Sequence, residues 1–357
     1  MYIRNERYRE DLKSALHGIV NYQALYHKKI LITGATGLIG SFLTDMLLYA
    51  DQTEQADIQV YALGRNARRL RDRFRSFQDR EELHFLIQDV TEPLQLEERV
   101  DYIIHAAGDG YPAAFKEHPV ETMTPAVIGT YQLLDYARRV HAERFLYVSS
   151  GEIYGKLAGS RHAFTEKEQG YIDSMAVRSC YPEAKRCAEA MSVSFWEQYK
   201  VQTVVARLSH TYGAGTGAGD NRATVQFLKE ALNGRDIRLY SAGNQLRSYV
   251  YVADSVSGLM TVLLRGEAGE AYNVGNTQSA VTIAQFAQIL AETAGRQCIM
   301  EQPTEDEAKE QTPIEYAVLD TGKLQQLGWK PQYDIHDGIS QMVEIARWKD
   351  KEAHSSL

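Results

Sequence analysis

A glycine-rich segment near the start of the chain constrains the fold most strongly. The segment Lys28–Gly40 begins with an apolar run, continues through glycines at 34, 37 and 40, and leads into an apolar helical pattern. This arrangement is typical of a buried strand that turns sharply into a helix whose N-terminus faces phosphate. Gly34 is predicted to permit the tight turn, Gly37 the approach of a pyrophosphate, and Gly40 the packing of helix on strand. The segment therefore predicts a dinucleotide-binding unit.

Strand and helix patterns alternate from this segment to about residue 190. Such alternation indicates parallel strands joined by crossover helices. We therefore predict an α/β chain with a Rossmann-type doubly wound parallel sheet and a smaller C-terminal lobe of mixed α/β structure. The predicted boundaries are 1–27 for a helical N-terminal extension packed on the body or on a partner subunit, 28–205 for most of the dinucleotide-binding domain, and 206–350 for most of the substrate lobe, with some chain exchange between lobes.

A tyrosine and a lysine one helical turn apart form the second signal. Tyr181 and Lys185 are four residues apart, which places both side chains on one helix face. A phenol with a pKa of about 10 is a poor base at neutral pH, but an ammonium group and an oxidised nicotinamide nearby both favour the phenolate. The same spacing also fits a surface amphipathic helix. The glycine segment upstream favours the acid/base interpretation.

Another apolar strand pattern, Phe145–Val148, ends in hydroxyl groups and a carboxylate. Ligands of open parallel sheets bind at the carboxyl ends of the strands. Ser150 is therefore predicted to hold a substrate hydroxyl beside Tyr181, and Glu152 to act as a second acid/base group. In the alternative interpretation, Ser150 caps the strand end and Glu152 is a solvated loop charge.

These motifs together resemble those of the extended short-chain dehydrogenases/reductases, in the NAD-dependent epimerase/dehydratase family that modifies nucleotide sugars. Further blocks that carry the resemblance are Ile103-Ile-His-Ala-Ala-Gly108, Ile128-Gly-Thr130, Ala206-Arg-Leu-Ser-His-Thr-Tyr-Gly213, Arg247-Ser-Tyr-Val-Tyr-Val-Ala-Asp254, Tyr272-Asn-Val-Gly-Asn276 and Leu327-Gly-Trp-Lys-Pro331. Within the family, the run from Arg178 to Arg186 is most similar to UDP-glucuronate decarboxylases. A nucleotide-sugar 4-epimerase or 4,6-dehydratase is the alternative within the family, and a catalytically idle dinucleotide sensor is the alternative of another class.

The resemblance implies specific roles for the candidate residues. Ser150 and Tyr181 would hold and deprotonate the hydroxyl at carbon 4 of the sugar. Lys185 would lower the pKa of the tyrosine and bind the ribose, and Glu152 would assist from the far side. Oxidation at carbon 4 then opens decarboxylation, epimerisation or dehydration. The substrate-binding residues that the resemblance implies are Ser150, Gly151, Arg178, His210, Arg222 and Arg247.

Three departures from the family pattern bear on the outcome. Gly151 stands where 4,6-dehydratases typically carry an aspartate and decarboxylases a serine, so dehydration is disfavoured. His210 replaces a frequent asparagine, and Ala214-Gly215 replaces a frequent Pro-Arg. These changes predict an altered sugar or diphosphate pocket. A histidine beside the sugar can shuttle protons, although a loop histidine with one hydrogen bond is the simpler interpretation.

The end of the second predicted strand bears on the cofactor, which the resemblance implies to be NAD(P). NAD enzymes place an acid there for the ribose hydroxyls, whereas an arginine suits a 2′-phosphate. Gly64 and Arg65 occupy this place, which tilts the prediction slightly to NADP, with NAD as the alternative. The residues predicted to bind the cofactor are Gly34, Thr36, Gly37, Leu38, Ile39, Gly40, Gly64, Arg65, Asn66, Asp89, Val90, Ala106, Ala107, Gly108, Tyr181 and Lys185.

Composition narrows the partners and the location. A net charge of −8 argues against nucleic acid as a partner. No run approaches the roughly 20 apolar residues that span a bilayer, and the charged first ten residues do not read as a signal peptide. Three sparse cysteines, Cys180, Cys187 and Cys298, favour a reducing cytoplasm over a disulfide scaffold. We therefore predict a cytoplasmic protein without a metal site.

The resemblance also implies a homodimer, in which the helices after Pro119 and after Tyr181 pair with their copies. Apolar residues on these helices permit such pairing and equally fit a protomer core. They are Leu133, Leu134, Ala137, Ala188 and Met191.

Overall fold

The structure is a computed structural model that describes residues 2–157, 162–215, 219–301 and 314–355. Its strands are β1 Lys29–Thr33, β2 Gln59–Gly64, β3 Leu83–Ile87, β4 Tyr102–His105, β5 Arg144–Ser150, β6 Thr203–Leu208, β7 His210–Tyr212, β8 Ile237–Leu239, β9 Leu246–Tyr251, β10 Ala271–Val274, β11 Ala280–Thr282, β12 Cys298–Met300 and β13 Tyr316–Ala317.

The α-helices are α1 Glu6–His17, α2 Leu38–Glu54, α3 Ala67–Arg73, α4 Pro112–Glu117, α5 Pro119–Thr124, α6 Thr130–Val140, α7 Cys180–Tyr199, α8 Ala223–Leu232, α9 Val252–Arg265, α10 Ile283–Ala294, α11 Gly322–Gln326 and α12 Ile335–Ser355. Short 3₁₀ segments include Gly151–Tyr154 and Val177–Ser179, which flank the site described below. Among all these described helices, none is long and apolar enough to cross a membrane.

Seven parallel strands form the main sheet in the order β3-β2-β1-β4-β5-β6-β10. The chain builds outward from β1 in one direction through β2 and β3, and in the other through β4, β5 and β6. Order reverses between β1 and β4, and ligands of such sheets bind at the carboxyl ends of the strands beside this switch point. The predicted doubly wound sheet is confirmed.

Helices cover both faces of the main sheet, which explains why its strands read as continuous apolar runs. Ile30 and Ile32 of β1 are fully buried in the core that contains α1, α2 and α9. Leu31 points to the opposite face and is fully buried against α6 and α7. Side chains that alternate along one strand thus supply two separate cores.

Most of the apolar residues proposed for subunit pairing lie inside the protomer. Leu133, Leu134, Ala137 and Ala188 are buried in the core between the sheet and the helices α6 and α7, and Met191 packs against it. These residues therefore fit core packing, which the sequence left open.

The smaller lobe is built around β9. Strands β11, β7 and β13 pair with β9, and β12 pairs with β8. The chain then returns to the main sheet, because β10 lies beside β6 in parallel register. The division into lobes at the predicted boundaries, with some chain exchange between them, stays a prediction.

The N-terminal segment packs on the body of its own chain. Asn5 caps α1 by accepting a hydrogen bond from the Tyr8 backbone nitrogen at 3.0 Å. The Tyr8 hydroxyl donates to Asp45 of α2 at 2.7 Å, and Arg73 pairs with the same carboxylate at 2.6 Å. Apolar residues of α1 join the core against α2 and α9.

Asp11 joins this segment to the smaller lobe. Its buried carboxylate accepts hydrogen bonds from the hydroxyls of Tyr251 at 2.5 Å and Tyr333 at 3.0 Å. Burial raises the pKa of Asp11 to about 7, although both hydrogen bonds oppose the rise. The unfolded chain has a carboxyl pKa of about 3.9. Because the folded protein holds this proton more tightly, its contribution to stability is present below about pH 4 and is lost as pH rises to about 7.

We expect Asp11→Asn to raise the free energy of unfolding at pH 8 by about 1–3 kcal/mol and to flatten its decline between about pH 4 and 7, since an amide cannot ionise. Thermal unfolding of the variant and the parent at several pH values measures this effect. Asp79→Asn removes an exposed carboxylate and is the matched control, with an unchanged pH profile expected. A variant less stable than the parent at pH 8 would contradict the prediction.

Candidate active site

A cleft of about 1560 Å³ lies at the carboxyl ends of the main strands and is bounded on its other side by the lobe around β9. Most of the residues predicted to bind cofactor or substrate line it: Gly34, Thr36, Gly37, Leu38, Ile39, Gly40, Asn66, Ala106, Gly108, Ser150, Gly151, Glu152, Arg178, Tyr181, Lys185, His210, Arg222 and Arg247. The predicted cofactor residues that do not line it are Gly64, Arg65, Asp89, Val90 and Ala107.

The glycine turn brings β1, β4 and α2 closer than side chains would allow. Gly34 has φ of +68°, and a Cβ atom there would lie 2.6 Å from the Ala106 carbonyl oxygen. A Cβ atom on Gly40 would lie 2.3 Å from the Gly34 carbonyl oxygen. These two positions therefore require glycine.

Gly37 is different, because the space beside it is open. A Cβ atom there would meet, within 4 Å among the described residues, only the Gly34 carbonyl oxygen at 3.3 Å. Gly37 is the N-cap of α2 and provides no side-chain cap. The first N–H groups of a helix lack acceptors within the helix, and its dipole favours an anion. The turn thus fits the diphosphate of a dinucleotide.

A buried histidine joins the ends of β1 and β4 beneath this turn. His105 donates from Nε2 to the Pro125 carbonyl oxygen at 3.0 Å, so Nδ1 is left to accept from the Thr33 hydroxyl at 2.8 Å. The Thr33 oxygen in turn accepts from the Ala107 backbone nitrogen at 3.1 Å. Burial, with the charge of Lys185, lowers the pKa of His105 to about 3. This neutral histidine holds the ends of β1 and β4 together, a role not identified from the sequence.

The residues after β2 differ in whether they line the cleft. Arg65 is exposed, and its guanidinium lies 3.7 Å from the carboxylate of Asp89, outside the cleft. Asn66 caps α3 by accepting from the Arg69 backbone nitrogen at 2.9 Å. Arg68 and Arg69 line the cleft instead. Basic side chains at this edge therefore come from α3 and not from the strand end.

Tyr181 and Lys185 share one face of α7, as their spacing predicts. The Tyr181 hydroxyl lies beside Gly110, where an added Cβ atom would be 3.4 Å from the hydroxyl oxygen. The Tyr181 ring stacks on Phe115 with centroids 4.7 Å apart. The buried Lys185 ammonium donates to the Val148 carbonyl oxygen at 2.7 Å and lies 5.7 Å from the centre of the Tyr181 ring. The helix thus brings a phenol and an ammonium group together at the end of β5.

The protein groups alone do not lower the pKa of the phenol. Burial and the charge of Glu152 raise the pKa of Tyr181 to about 12, against the opposing effects of a Ser150 hydrogen bond and of Arg222 and other cations. Burial lowers the pKa of Lys185 to about 8. The lowering of the tyrosine pKa by Lys185 that the resemblance implies stays a prediction, and the charge of an oxidised nicotinamide is a further source of such lowering.

Glu152 is held in an ion pair. Arg178 donates from Nη2 to both carboxylate oxygens, at 3.0 and 2.9 Å. The same guanidinium lies 4.6 Å from the centre of the Phe115 ring. Ser150 accepts from the Glu152 backbone nitrogen at 3.2 Å and so caps the short 3₁₀ turn. Glu152 is thus neither a freely solvated loop charge nor an unpaired base.

The space beside Gly151 is small. A Cβ atom there would lie 3.3 Å from both terminal methyl carbons of Leu319 and 3.4 Å from the Leu208 carbonyl oxygen. An aspartate or a serine at this position would require the Leu319 side chain to shift by a few tenths of an ångström. The packing around Gly151 is therefore consistent with a residue that has no side chain.

Two arginines of the cleft differ in how their charge is offset. Arg247 is 3% exposed and donates to the carbonyl oxygens of Leu246 at 2.9 Å and Ile314 at 2.5 Å. Within the described ranges, no carboxylate forms an ion pair with it. Arg222 pairs with Asp220 at 2.6 Å. Arg247 is thus the arginine whose buried charge is left for a bound anion.

His210 lies beside these arginines. Its ring meets the Tyr249 ring edge to face at 5.9 Å between centroids. The surrounding protein and the charges of Arg247 and Arg222 lower the pKa of His210 to about 3, although part of the ring is exposed to the cleft. His210 is therefore neutral near pH 7 and can accept or donate a hydrogen bond without carrying charge.

A buried ion pair joins α7 to β6. Glu189 accepts from the Ser149 hydroxyl at 2.5 Å and from Arg207 of β6 at 2.7 Å. Arg207 also donates to the Tyr154 hydroxyl at 3.1 Å. Glu189 is one turn beyond Lys185 on the same face. That spacing is the sequence signal that could have indicated Glu189.

The profile of the NAD dependent epimerase/dehydratase family matches residues 30–275. The chain belongs to this family. It is 33% identical over 322 residues to UDP-glucuronic acid decarboxylase 6 of Arabidopsis thaliana, with 89% of each chain covered. It is 31% identical over 323 residues to UDP-glucuronic acid decarboxylase 1 of Xenopus tropicalis, and the alignment covers 90% of this chain and 72% of that protein. The resemblance predicted from the motifs is confirmed, and with it the assignment to nucleotide-sugar modifying enzymes.

A solved structure shows the same fold. The UDP-glucuronic acid 4-epimerase of Bacillus cereus, in complex with UDP-glucuronic acid and NAD, superposes with a TM-score of 0.73 at 20% identity. The superposition covers 90% of this chain and 99% of that one. At this identity the likeness concerns the fold, including the parallel sheet and the smaller lobe.

Proposed function

We propose that this family member oxidises carbon 4 of a nucleotide sugar with bound NAD(P), and that it decarboxylates UDP-glucuronate. The observation that carries the proposal is the identity of 33% and 31% to proteins named UDP-glucuronic acid decarboxylase over 89% and 90% of the chain. The cleft supports it, because Ser150, Tyr181 and Lys185 line one wall together and Arg247 offers a buried positive charge.

The proposed work of the side chains follows from their placement. Bound nicotinamide would supply reversible hydride transfer. Ser150 holds the carbon-4 hydroxyl, and Tyr181, as phenolate, accepts its proton. The charge of Lys185, 5.7 Å from the ring centre, favours that phenolate. The open N-terminus of α2 at Gly37 would hold the cofactor diphosphate.

A 4-epimerase is the second candidate. It is favoured by Gly151, which lacks the hydroxyl that decarboxylases usually carry between the serine and the glutamate. A 4,6-dehydratase is disfavoured because Gly151 stands where such enzymes typically carry an aspartate. The residue type at position 151 thus favours the epimerase over the dehydratase as the alternative to decarboxylation.

Incubation of the purified protein with UDP-glucuronate, with NAD and NADP in parallel, tests the proposal by NMR of the anomeric protons. New UDP-pentose signals are expected. A UDP-galacturonate signal without loss of carbon would replace the decarboxylase by an epimerase. Unchanged substrate in the presence of bound cofactor would exclude UDP-glucuronate as substrate and direct the search to other nucleotide sugars.

The finer proposal on the cofactor is a preference for NADP. Gly64 leaves the end of β2 without an acid, and Arg68 and Arg69 line the cleft beyond it. Arginine suits a 2′-phosphate. Faster turnover with NAD than with NADP in the parallel incubation would reverse this preference.

We propose a homodimer formed through α5, α6 and α7. Large apolar side chains on these helices and the turn that joins α5 and α6 are exposed: Val120, Met123, Ile128, Tyr131, Val193 and Tyr199. An exposed apolar patch of this kind is typical of a protein interface. This patch, unlike the buried residues named from the sequence, is available to a second copy of the chain.

Val120→Glu combined with Tyr131→Glu is expected to halve the mass measured by light scattering, because two carboxylates per protomer would be buried in the interface. Met300→Glu replaces an equally exposed apolar residue of β12 and serves as the control. Equal masses for the double variant and the control would exclude this face.

A further inference from the structure

Three arginines line the cleft around Glu152 and Tyr181, and their partners differ in chemistry. Arg247 donates to main-chain carbonyl oxygens. Arg222 pairs with Asp220, two residues away in the same turn. The partner of Arg178 is the carboxylate of Glu152, the predicted acid/base group.

The Arg178 pair is accessible from the cleft and incomplete. Its side chains are 39% exposed for Arg178 and 24% for Glu152, against 3% for the whole of Arg247. One nitrogen of Arg178 serves both carboxylate oxygens, at 3.0 and 2.9 Å. A guanidinium has five N–H donors, and in the part of the chain that the structure describes the others have no acceptor. Arg178 can therefore bind a carboxylate more fully than it does here.

The position of Arg178 links it to the reacting end of the cleft. Its guanidinium lies over Phe115 at 4.6 Å, and Phe115 stacks on Tyr181 at 4.7 Å. A planar cation held on an aromatic face keeps its edge free for a planar anion. An anion bound at that edge would lie on the Tyr181 side of the cleft.

We propose that Arg178 is the receptor for the sugar carboxylate of a hexuronate substrate, which replaces Glu152 on the guanidinium; this inference rests on the proposed function. The exchange keeps Arg178 paired throughout, since one carboxylate leaves as another arrives. No covalent bond changes in this step. A neutral hexose cannot displace Glu152, so the exchange selects hexuronates and releases Glu152 only when the correct sugar is bound.

Arg247 is less suited to this role. Its fork is already committed to two carbonyl oxygens, and its burial leaves little of it exposed to a sugar. Its charge then serves another anionic group of the ligand. Substitution of Arg178 and of Arg247 is thus expected to weaken the binding of different ligands.

Titration calorimetry of cofactor-loaded protein with UDP, UDP-glucose and UDP-glucuronate tests the inference. Arg178→Gln is expected to weaken UDP-glucuronate about 10- to 100-fold, the range for loss of a charged hydrogen-bonded pair. Its affinity for UDP and for UDP-glucose should change by less than about 2-fold, a small fraction of that loss. Glu152→Gln should bind UDP-glucuronate more tightly than the parent, because the internal competitor has lost its charge.

Arg7→Gln is the matched control, since Arg7 lies on the exposed face of α1 outside the cleft and pairs with Glu10 and Glu344. The tighter binding by Glu152→Gln separates competition from a structural role, and it remains measurable if Arg178→Gln fails to fold. Unchanged or weaker hexuronate binding by Glu152→Gln, or equal losses for hexose and hexuronate in Arg178→Gln, would overturn the inference. Turnover of UDP-glucuronate by the parent protein decides the proposed function separately.

Discussion

Replacement of Tyr181 by phenylalanine is expected to lower kcat for UDP-glucuronate by about 10²- to 10⁴-fold, the usual contribution of a positioned acid/base group. The hydroxyl is the group lost, while the ring can keep its stacking on Phe115 at 4.7 Å. Cofactor affinity and thermal stability should therefore stay close to those of the parent. Turnover followed by NMR and cofactor binding followed by calorimetry measure the two effects.

Tyr147→Phe is the matched control for this variant. Tyr147 is also a buried tyrosine near Lys185, whose ammonium lies 4.8 Å from its ring centre. Its hydroxyl has no hydrogen-bond partner among the described residues. Removing that hydroxyl should leave turnover within about 3-fold of the parent, since no hydrogen bond is lost. Equal loss in both variants would assign the effect to packing around Lys185 and would exclude Tyr181 as the base.

The sequence predicts those parts of the site that depend on local pattern. Glycine spacing predicts the turn at Gly34, and the helical period places Tyr181 and Lys185 on one face, because both follow from backbone geometry along a short segment. The rule that ligands bind at strand ends brings Ser150 to the cleft. It gives the correct edge of the sheet but not the direction of each side chain, so Arg65 after β2 faces away.

The parts that sequence reasoning missed depend on contacts between distant segments. Glu189 meets Arg207 across α7 and β6, and His105 joins β4 to β1 through Thr33. The pairing of Glu152 with Arg178 spans 26 residues and depends on how the chain returns to α7. Helical periodicity also does not distinguish the protomer core from a subunit interface, because an apolar residue such as Leu133 can be buried in either.

Gly37→Ala is expected to weaken dinucleotide binding about 10- to 100-fold, equivalent to roughly 1.4–2.8 kcal/mol, the range for one misplaced methyl group. The added methyl group would stand in the space at the N-terminus of α2, where the proposed cofactor diphosphate lies. Thermal stability should change little, because Gly37 has φ of −75° and its Cβ atom would meet only the Gly34 carbonyl oxygen at 3.3 Å among the described residues. Calorimetry with NAD and NADP and thermal unfolding measure the two quantities.

Gly40→Ala provides the comparison, because its methyl group would enter the protein instead of the cleft. A Cβ atom on Gly40 would lie 2.3 Å from the Gly34 carbonyl oxygen, so α2 must separate from the turn. We expect this variant to lose stability by about 1–3 kcal/mol or more. If Gly37→Ala instead loses as much stability as Gly40→Ala while binding dinucleotide normally, the space beside Gly37 is structural and the diphosphate must bind elsewhere. The opposite pattern, with stability kept and affinity lost only at Gly37, would place the diphosphate at the first turn of α2.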